Sequence, residues 1–249
     1  MNTLTVNPIL ITAAVIPAVF LLLRVYKADR LDKEPPGLLL SLVLFGVIAT
    51  FFALVAERLG VLLLSRFADP STVLYHAILY FGVVAISEEG AKYILLKLRT
   101  WKSPHFNCQF DGVVYAIFVS LGFALWENIG YVLRGENGLA TALVRAVTAV
   151  PGHACFGVFM GVFYGAAKRF EGMHKPQKSK RYRRLSLLFP ILMHGVYDFI
   201  ASVPVKHAAW LFVVFVIAMF ISGYRLVRFA AADDQFITDP DVPDMPEFY

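Results

Sequence analysis

Seven stretches of this chain, at about residues 7–26, 37–59, 74–98, 111–133, 140–167, 185–204 and 207–230, are each long and almost wholly apolar. A helix needs about 20 mostly apolar residues to cross the hydrocarbon of a bilayer, where the backbone must satisfy its own polar groups. The pattern predicts an all-α, polytopic bundle of about seven transmembrane helices, forming one domain over residues 1–231. Composition agrees: 58% of the 249 residues are hydrophobic and 16% are charged, against about 45–50% and 25% in soluble domains. The first run has no basic segment before it and no small-residue cleavage site after it, so a retained helix is expected rather than a removed signal peptide. Residues 232–249, ending in "DDQFITDPDVPDMPEFY", are acidic and proline-rich, the composition of a disordered tail.

The basic residues set the orientation. Arg24, Lys27, Arg30, Lys33, Lys97, Arg99 and Lys102 fall on one side. So do Lys168, Arg169, Lys175, Lys178, Lys180, Arg181, Arg183, Arg184, Arg225 and Arg228. The other side holds Arg58, Arg66, Arg134, Arg145 and Lys206. Lysine and arginine accumulate on the cytoplasmic side, so the N-terminus is expected outside, the C-terminus inside, and the chain in the cell membrane. The net charge of +5 is thereby a matter of topology, and no nucleic-acid partner is expected. Cys108 and Cys155 have neither the number nor the spacing of a disulfide framework or a zinc motif. No internal repeat is visible, which counts against a transporter built from inverted halves.

Polar residues interrupt four successive spans. Glu88, Glu89 and Lys92 lie in the third, Glu127 and Asn128 in the fourth, His153 in the fifth, and His194 and Asp198 in the sixth. An ionisable side chain at bilayer depth costs at least about 2.5–3.5 kcal/mol and usually faces a bundle interior or wet cavity. One shared polar cavity is therefore expected. Glu88 and Lys92, four residues apart, share a helix face and can pair; near the basic end, Lys92 could also snorkel. Asp198, four residues after His194, can hold that ring in one tautomer. Asn128 alone is ordinary interhelical glue, and Phe123 and Trp126 read as packing.

Two kinds of chemistry suit carboxylates and imidazoles in a low-dielectric cavity. One is proton or cation relay in a transporter or channel. The other is hydrolysis by a glutamate-activated water, with histidine or a metal steadying the oxyanion. Glu127, His153 and His194 form a ligand set suited to Zn2+, and another glutamate would then be the base. A non-catalytic membrane scaffold or immunity protein is a third reading. The residues alone leave metal dependence open.

The order of motifs resembles the PrsW family of intramembrane proteases. The match is carried by E-E-x-x-K at Glu88–Lys92, F-x-x-x-E-N at Phe123–Asn128 and H-x-x-x-D at His194–Asp198, with "DRLDKEPPGLL", "FDGVVYAIFVSLGFALWEN" and "PGHACFG" around them. The family is similar to the prenyl-protein (CAAX) processing and bacteriocin-immunity proteases. Carried over residue by residue, the resemblance implies functional roles for Glu88, Glu89 and His194, then Glu127, His153 and Asp198, with Lys92, Asn128 and Phe123 in support. It implies a membrane-anchored protein substrate, an anti-sigma factor by analogy. In the expected mechanism Glu88 or Glu89 activates the water, and His194, oriented by Asp198, polarises the carbonyl.

Overall fold

The computed structural model describes residues 8–134, 138–203 and 207–237. It is all-helical, and the elements follow the apolar runs: α1 (Pro8–Ala28), α2 (Pro36–Leu64), α3 (Val73–Ala77), a π-helical segment (Ile78–Val84), α4 (Ala85–Thr100), α5 (Asp111–Arg134), α6 (Gly138–Val147), α7 (Ala149–Gly172), α8 (Pro176–Ser202) and α9 (Ala208–Ala232). Six stretches are long and apolar enough to cross a membrane. The remaining expected crossing, 74–98, is a continuous rod from Val73 to Thr100 that carries Glu88, Glu89 and Lys92. The expected fifth span is not one uninterrupted helix. It breaks at Thr148, whose backbone leaves helical geometry at φ −122°, ψ −70°, so that α6 and α7 meet there.

The centre of the bundle is α5. Val113, Val114, Tyr115, Ala116, Ile117, Val119 and Leu121 are all buried, so this helix is apolar around its whole circumference, as a helix enclosed by others must be. Outer helices turn their apolar residues outward: Leu40, Leu44, Phe52 and Leu59 on α2 and Trp210, Ile217 and Ile221 on α9 are exposed. Hydrocarbon is the solvent that matches such faces.

Between helices in a membrane the hydrophobic effect contributes little, and close van der Waals contact does most of the work. Here glycine permits it. On α7, Gly157, Gly161 and Gly165 recur every fourth residue, and a Cβ on any of them would meet the backbone of α5 or of the loop just before it. On α2, Gly46 lies against Val119, Gly122 and Phe123, while Gly122 of α5 lies against Val43. These contacts set the spacing of the helices that carry Phe123, Glu127 and His153.

At the end of the bundle that bears the basic loops, aromatic rings close the core. Tyr164 packs against Trp101 and Phe106 with centroids 5.1 and 5.3 Å away. The segment after α9 docks here: Phe110 N–H donates to Asp234 Oδ1 at 2.8 Å, and Ile237 N–H to the Asn107 carbonyl at 2.6 Å. The expected tail thus starts with a docked stretch, and residues 238–249 lie outside the described residues. Burial pushes the Asp29 carboxyl up to about 6 and that of Glu34 up to about 7, both in the α1–α2 loop.

Gly46→Leu would drive a side chain into the α5 backbone. Overpacking of this kind costs about 1–3 kcal/mol, so its thermal unfolding midpoint in detergent should fall well below wild type. Gly37→Ala is the control: a Cβ there meets nothing within 4 Å, and the midpoint should be unchanged.

Candidate active site

Lys92 is fully buried; it does not snorkel. Its ammonium donates to Glu89 Oε1 at 2.7 Å and Glu88 Oε2 at 3.2 Å, and faces His153 Nδ1 at 3.2 Å. It also lies 3.9 Å from the centre of the Phe123 ring, so Phe123 is more than filler: its π face completes the lysine's coordination. An ammonium can only donate. Nδ1 of His153 therefore accepts, and the ring's hydrogen sits on Nε2, where it meets Glu127 Oε2 at 2.9 Å. One buried lysine thus fixes a histidine tautomer on a different helix.

His194 is clamped from both sides. Its Nδ1 lies 2.9 Å from Glu89 Oε1 and its Nε2 lies 3.2 Å from Asp198 Oδ2, with Glu88 Oε2 at 3.9 Å. The Phe156 ring stacks on it, with centroids 4.7 Å apart and 16° between planes. Gly195 lets Phe81 of the π-helical segment approach α8 beside this histidine. The rings of His153 and His194 are 5.7 Å apart.

Beside these groups lies a cavity of about 720 Å³, walled by α2, α4 to α8 and the π-helical segment. Glu88, Glu127, His153, His194 and Asp198 all line it, as does Phe123. Glu89 does not; it is fully buried behind Glu88. The sequence expectation of one polar cavity thus meets a geometry in which five of the six candidate catalytic residues share a wall and the sixth braces two of their neighbours. Asn128 stands apart. Its Nδ2 donates to the Ala14 carbonyl at 2.7 Å and its Oδ1 accepts from Arg145 Nε at 2.8 Å, tying α1, α5 and α6 together.

Two wall residues were missed by sequence reasoning. Arg145, counted only as a loop charge, sits in α6 and donates to Glu127 Oε2 at 2.8 Å with its guanidinium over the Tyr131 ring. Glu57 of α2 lines the same cavity. The available signal was position: both fall inside apolar runs rather than beyond them.

Among the described residues, the ligand atoms that converge within 4.8 Å are those of Glu88, Glu89 and His153, not the expected set of Glu127, His153 and His194. His194 is turned away from Glu127 toward Glu89 and Asp198. The converging donors fit a divalent metal in kind, and Glu89 Oε2 is buried without a partner. The ammonium of Lys92 occupies the same neighbourhood and supplies its positive charge.

A bundle with many helices long and apolar enough to cross a membrane, holding carboxylates and imidazoles around a buried cavity, defines the class of polytopic membrane proteins with a polar intramembrane site, to which intramembrane hydrolases and ion-coupled transporters both belong. Residues 34–222 match the PrsW family intramembrane metalloproteases, and the chain belongs to that family. It is 33% identical to "Protease PrsW" of Clostridioides difficile (strain 630), over 83% of this chain and 84% of that protein. It is equally similar, at 33%, to "Protease PrsW" of Halalkalibacterium halodurans, over 89% of this chain and 96% of that one. The identity to "Protease PrsW" of Bacillus subtilis (strain 168) is also 33%, over 78% and 83%. No solved structure matches. The chain is accordingly an intramembrane endopeptidase and a multi-pass membrane protein whose substrate is a protein in the membrane, which separates it from the transporter and scaffold readings.

Removing one partner of a buried ion pair costs about 3–5 kcal/mol, because the other charge is left uncompensated. Lys92→Met should therefore lower the unfolding midpoint sharply. Adding Glu89→Gln to it should recover part of the loss, a coupling measurable by a double-mutant cycle in detergent.

Proposed function

We propose that Glu88 is the general base of peptide-bond hydrolysis and that Glu89 is a positioning residue. The observation that carries this reading is their division of space: Glu88 faces the cavity, while Glu89 is sealed behind it against Lys92 and His194. A water beside Glu88 gives up a proton to the carboxylate as its oxygen bonds to the scissile carbonyl carbon. The carbonyl oxygen, gaining negative charge, draws the His194 Nε2–H away from Asp198 and takes its hydrogen bond. Carbon–nitrogen cleavage follows as the leaving amine receives a proton from the Glu88 carboxyl.

His194 is suited to the electrophilic part. Each of its nitrogens faces a carboxylate, and an imidazolium satisfies both at once because both of its nitrogens carry hydrogen. Nε2 is the cavity-side nitrogen, since its neighbours Asp198 and Glu88 line the cavity and Glu89, beside Nδ1, does not. Asp198 and Glu89 together hold the ring in place, so little reorganisation is needed when charge develops. Glu127, held by Arg145 and His153, adds to the polar lining of the cavity.

Glu88, Glu89 and His153 are the residues that would hold a metal. A Zn2+ there would displace the Lys92 ammonium from His153 Nδ1 and take Glu88 as a ligand instead of the base, and it would supply Lewis-acid polarisation of the carbonyl and a more acidic water. We further infer that the substrate is a single-span membrane-anchored protein, an anti-sigma factor by analogy with the family's known role, and that the chain resides in the cell membrane. The cavity draws on the ends of α2, α5 and α8 away from the basic loops, which fits cleavage near the extracytoplasmic surface.

A positioned general base contributes about 10²–10⁴-fold. Glu88→Gln should cut cleavage of a membrane-anchored reporter by at least about 100-fold, and His194→Ala should do likewise, with expression and unfolding midpoint near wild type for Glu88→Gln. Near-normal turnover by well-folded Glu88→Gln sinks the assignment. Elemental analysis supplies the metal test: a stoichiometric metal that is lost in His153→Ala, together with activity lost on chelation and restored by Zn2+, is the outcome expected of a metal held by those three residues.

A further inference from the structure

The face of α7 turned away from His153 borders a second cavity, which shares no lining residue with the hydrolytic one. It measures about 570 Å³ and lies between α1, α7 and α9, with the buried Ile117 of α5 at its floor. Small residues make the room: Ala28 on α1, Ala154 and Cys155 on α7, and Gly223 on α9. Phe20 and Tyr224 border it and are exposed, so it opens to the hydrocarbon around the bundle.

One end of this cavity is charged. Arg24 and Lys27 near the end of α1, Arg30 just beyond it and Arg228 near the end of α9 all line it. A smaller recess of about 210 Å³ continues past Arg30 and Arg228 to Ala231 and Ala232. Among the described residues none of the four cations has a hydrogen bond or ion pair, and Arg228 has only the Tyr224 ring, 5.9 Å away. Other cations at this end of the bundle are engaged. Lys33 donates to the Tyr26 and Asp29 carbonyls, Arg99 to Ser41, Lys168 to the Trp101 carbonyl, and Arg169 to Gln109 and Gln235. The acids nearest in sequence are turned elsewhere: Asp29 is buried, and Asp32 accepts from Asn107. Accumulation of basic residues on one side of a membrane accounts for the sign of this charge. It does not account for four unpaired cations around one apolar recess.

The dimensions match a single leaflet. From Phe220 to Arg228, α9 rises about 12 Å, against about 15 Å for half of a hydrocarbon core about 30 Å thick. An apolar helix of another protein would fill the greasy section and leave the cations unmatched. A free inorganic anion would do the reverse. A molecule with a hydrocarbon chain and a negatively charged head meets both requirements, and the bilayer supplies it.

We propose that this cavity binds an anionic phospholipid, its acyl chain lying along Ile117, Val158 and Phe220 and its phosphate held by Arg24, Arg30 and Arg228, with Lys27 at the edge. Basic recesses between membrane helices recognise headgroups by this combination, and the guanidinium fork suits phosphate oxygens. The lipid bridges α1 to α9 across α7, the helix that carries His153 on its opposite face. Its role is to hold these three helices together, outside the hydrolytic chemistry.

Native mass spectrometry of the full chain, titrated in detergent with phosphatidylglycerol or with phosphatidylcholine of the same chain length, tests this. Wild type should bind phosphatidylglycerol at least about tenfold more tightly than phosphatidylcholine. Arg24→Gln/Arg30→Gln/Arg228→Gln should lose that preference. Lys175→Gln/Lys180→Gln/Arg184→Gln, which removes equal charge from exposed positions on α8 and just before it, should keep it. Ala154→Phe, which fills the apolar section and leaves every charge in place, should weaken phosphatidylglycerol binding. The same lipid should raise the unfolding midpoint of wild type more than that of the arginine variant. Equal binding of the two lipids by wild type overturns the proposal. So does an equal loss in the two triple variants, which would make the preference one of overall charge. Displacement of the lipid by inorganic phosphate assigns the cations to a free anion, and a dimer that Ala154→Phe dissociates assigns the cavity to a second copy of the chain; either result overturns it equally.

Discussion

The ammonium of Lys92 is what allows two adjacent carboxylates to sit inside a membrane helix. Hydrocarbon offers neither water nor counterions, so positive charge has to come from the chain itself and lie within reach of both acids. Positions 88, 89 and 92 meet that need on a single helix: the i,i+3 and i,i+4 spacings bring both glutamates to one lysine. The same ammonium reaches His153 and Phe123 on other helices. Charge neutralisation within α4 and alignment of α5 and α7 around it are thus one interaction. Histidine orientation, the polar wall formed by Glu127, and the separation of an exposed glutamate from a sealed one all follow from where that nitrogen is held.

Its position depends in turn on backbone proximity. A lysine can bridge three helices only if they lie close, and side chains larger than hydrogen along α7 would hold α5 away. Gly157, Gly161 and Gly165 remove that obstacle on one side of α5, and Gly46 removes it on the side facing α2. Packing and chemistry occupy successive turns of the same helices. Gly157 is one turn beyond His153, and Gly122 directly precedes Phe123.

Much of this architecture was legible in the sequence because hydrocarbon imposes few and strict demands. Long apolar runs had to be helices, and ionisable groups at their centres had to meet. The resemblance carried by Glu88–Lys92, Phe123–Asn128 and His194–Asp198 added the reaction class, which the family match bears out. What escaped were features decided by helix rotation and by local breaks. Periodicity puts Glu89 about 100° around from Glu88 but does not say which of the two looks into the cavity. The break at Thr148 was announced by Pro151, which has no N–H for the Val147 carbonyl and sits in the first turn of α7. The direction in which it turns α6, which brings Arg145 to Glu127, is not written in the sequence. Charge counting had spent Arg145 on topology. Glu57 was overlooked because it stands in the last turn of its predicted span, where a charge is ordinary. Asn128 was read as glue, and its bonds to Ala14 and Arg145 are of that kind. The metal set was drawn from residue types rather than directions, and the direction of His194 reassigns it.

The π-helical segment Ile78–Val84 also constrains how this chain can vary in length. Wider turns accommodate an extra residue relative to an α-helix without changing what precedes them. Loss of one residue within that segment could be absorbed by tightening it to ordinary pitch, leaving the aspect of α4 toward its neighbours intact. The same loss between Ala85 and Glu88 has no slack to draw on: everything before it would be turned by about 100° relative to the acids. The segment is a mechanical tolerance, a place where the third crossing can accept a length error, sited just ahead of the residues that can accept none.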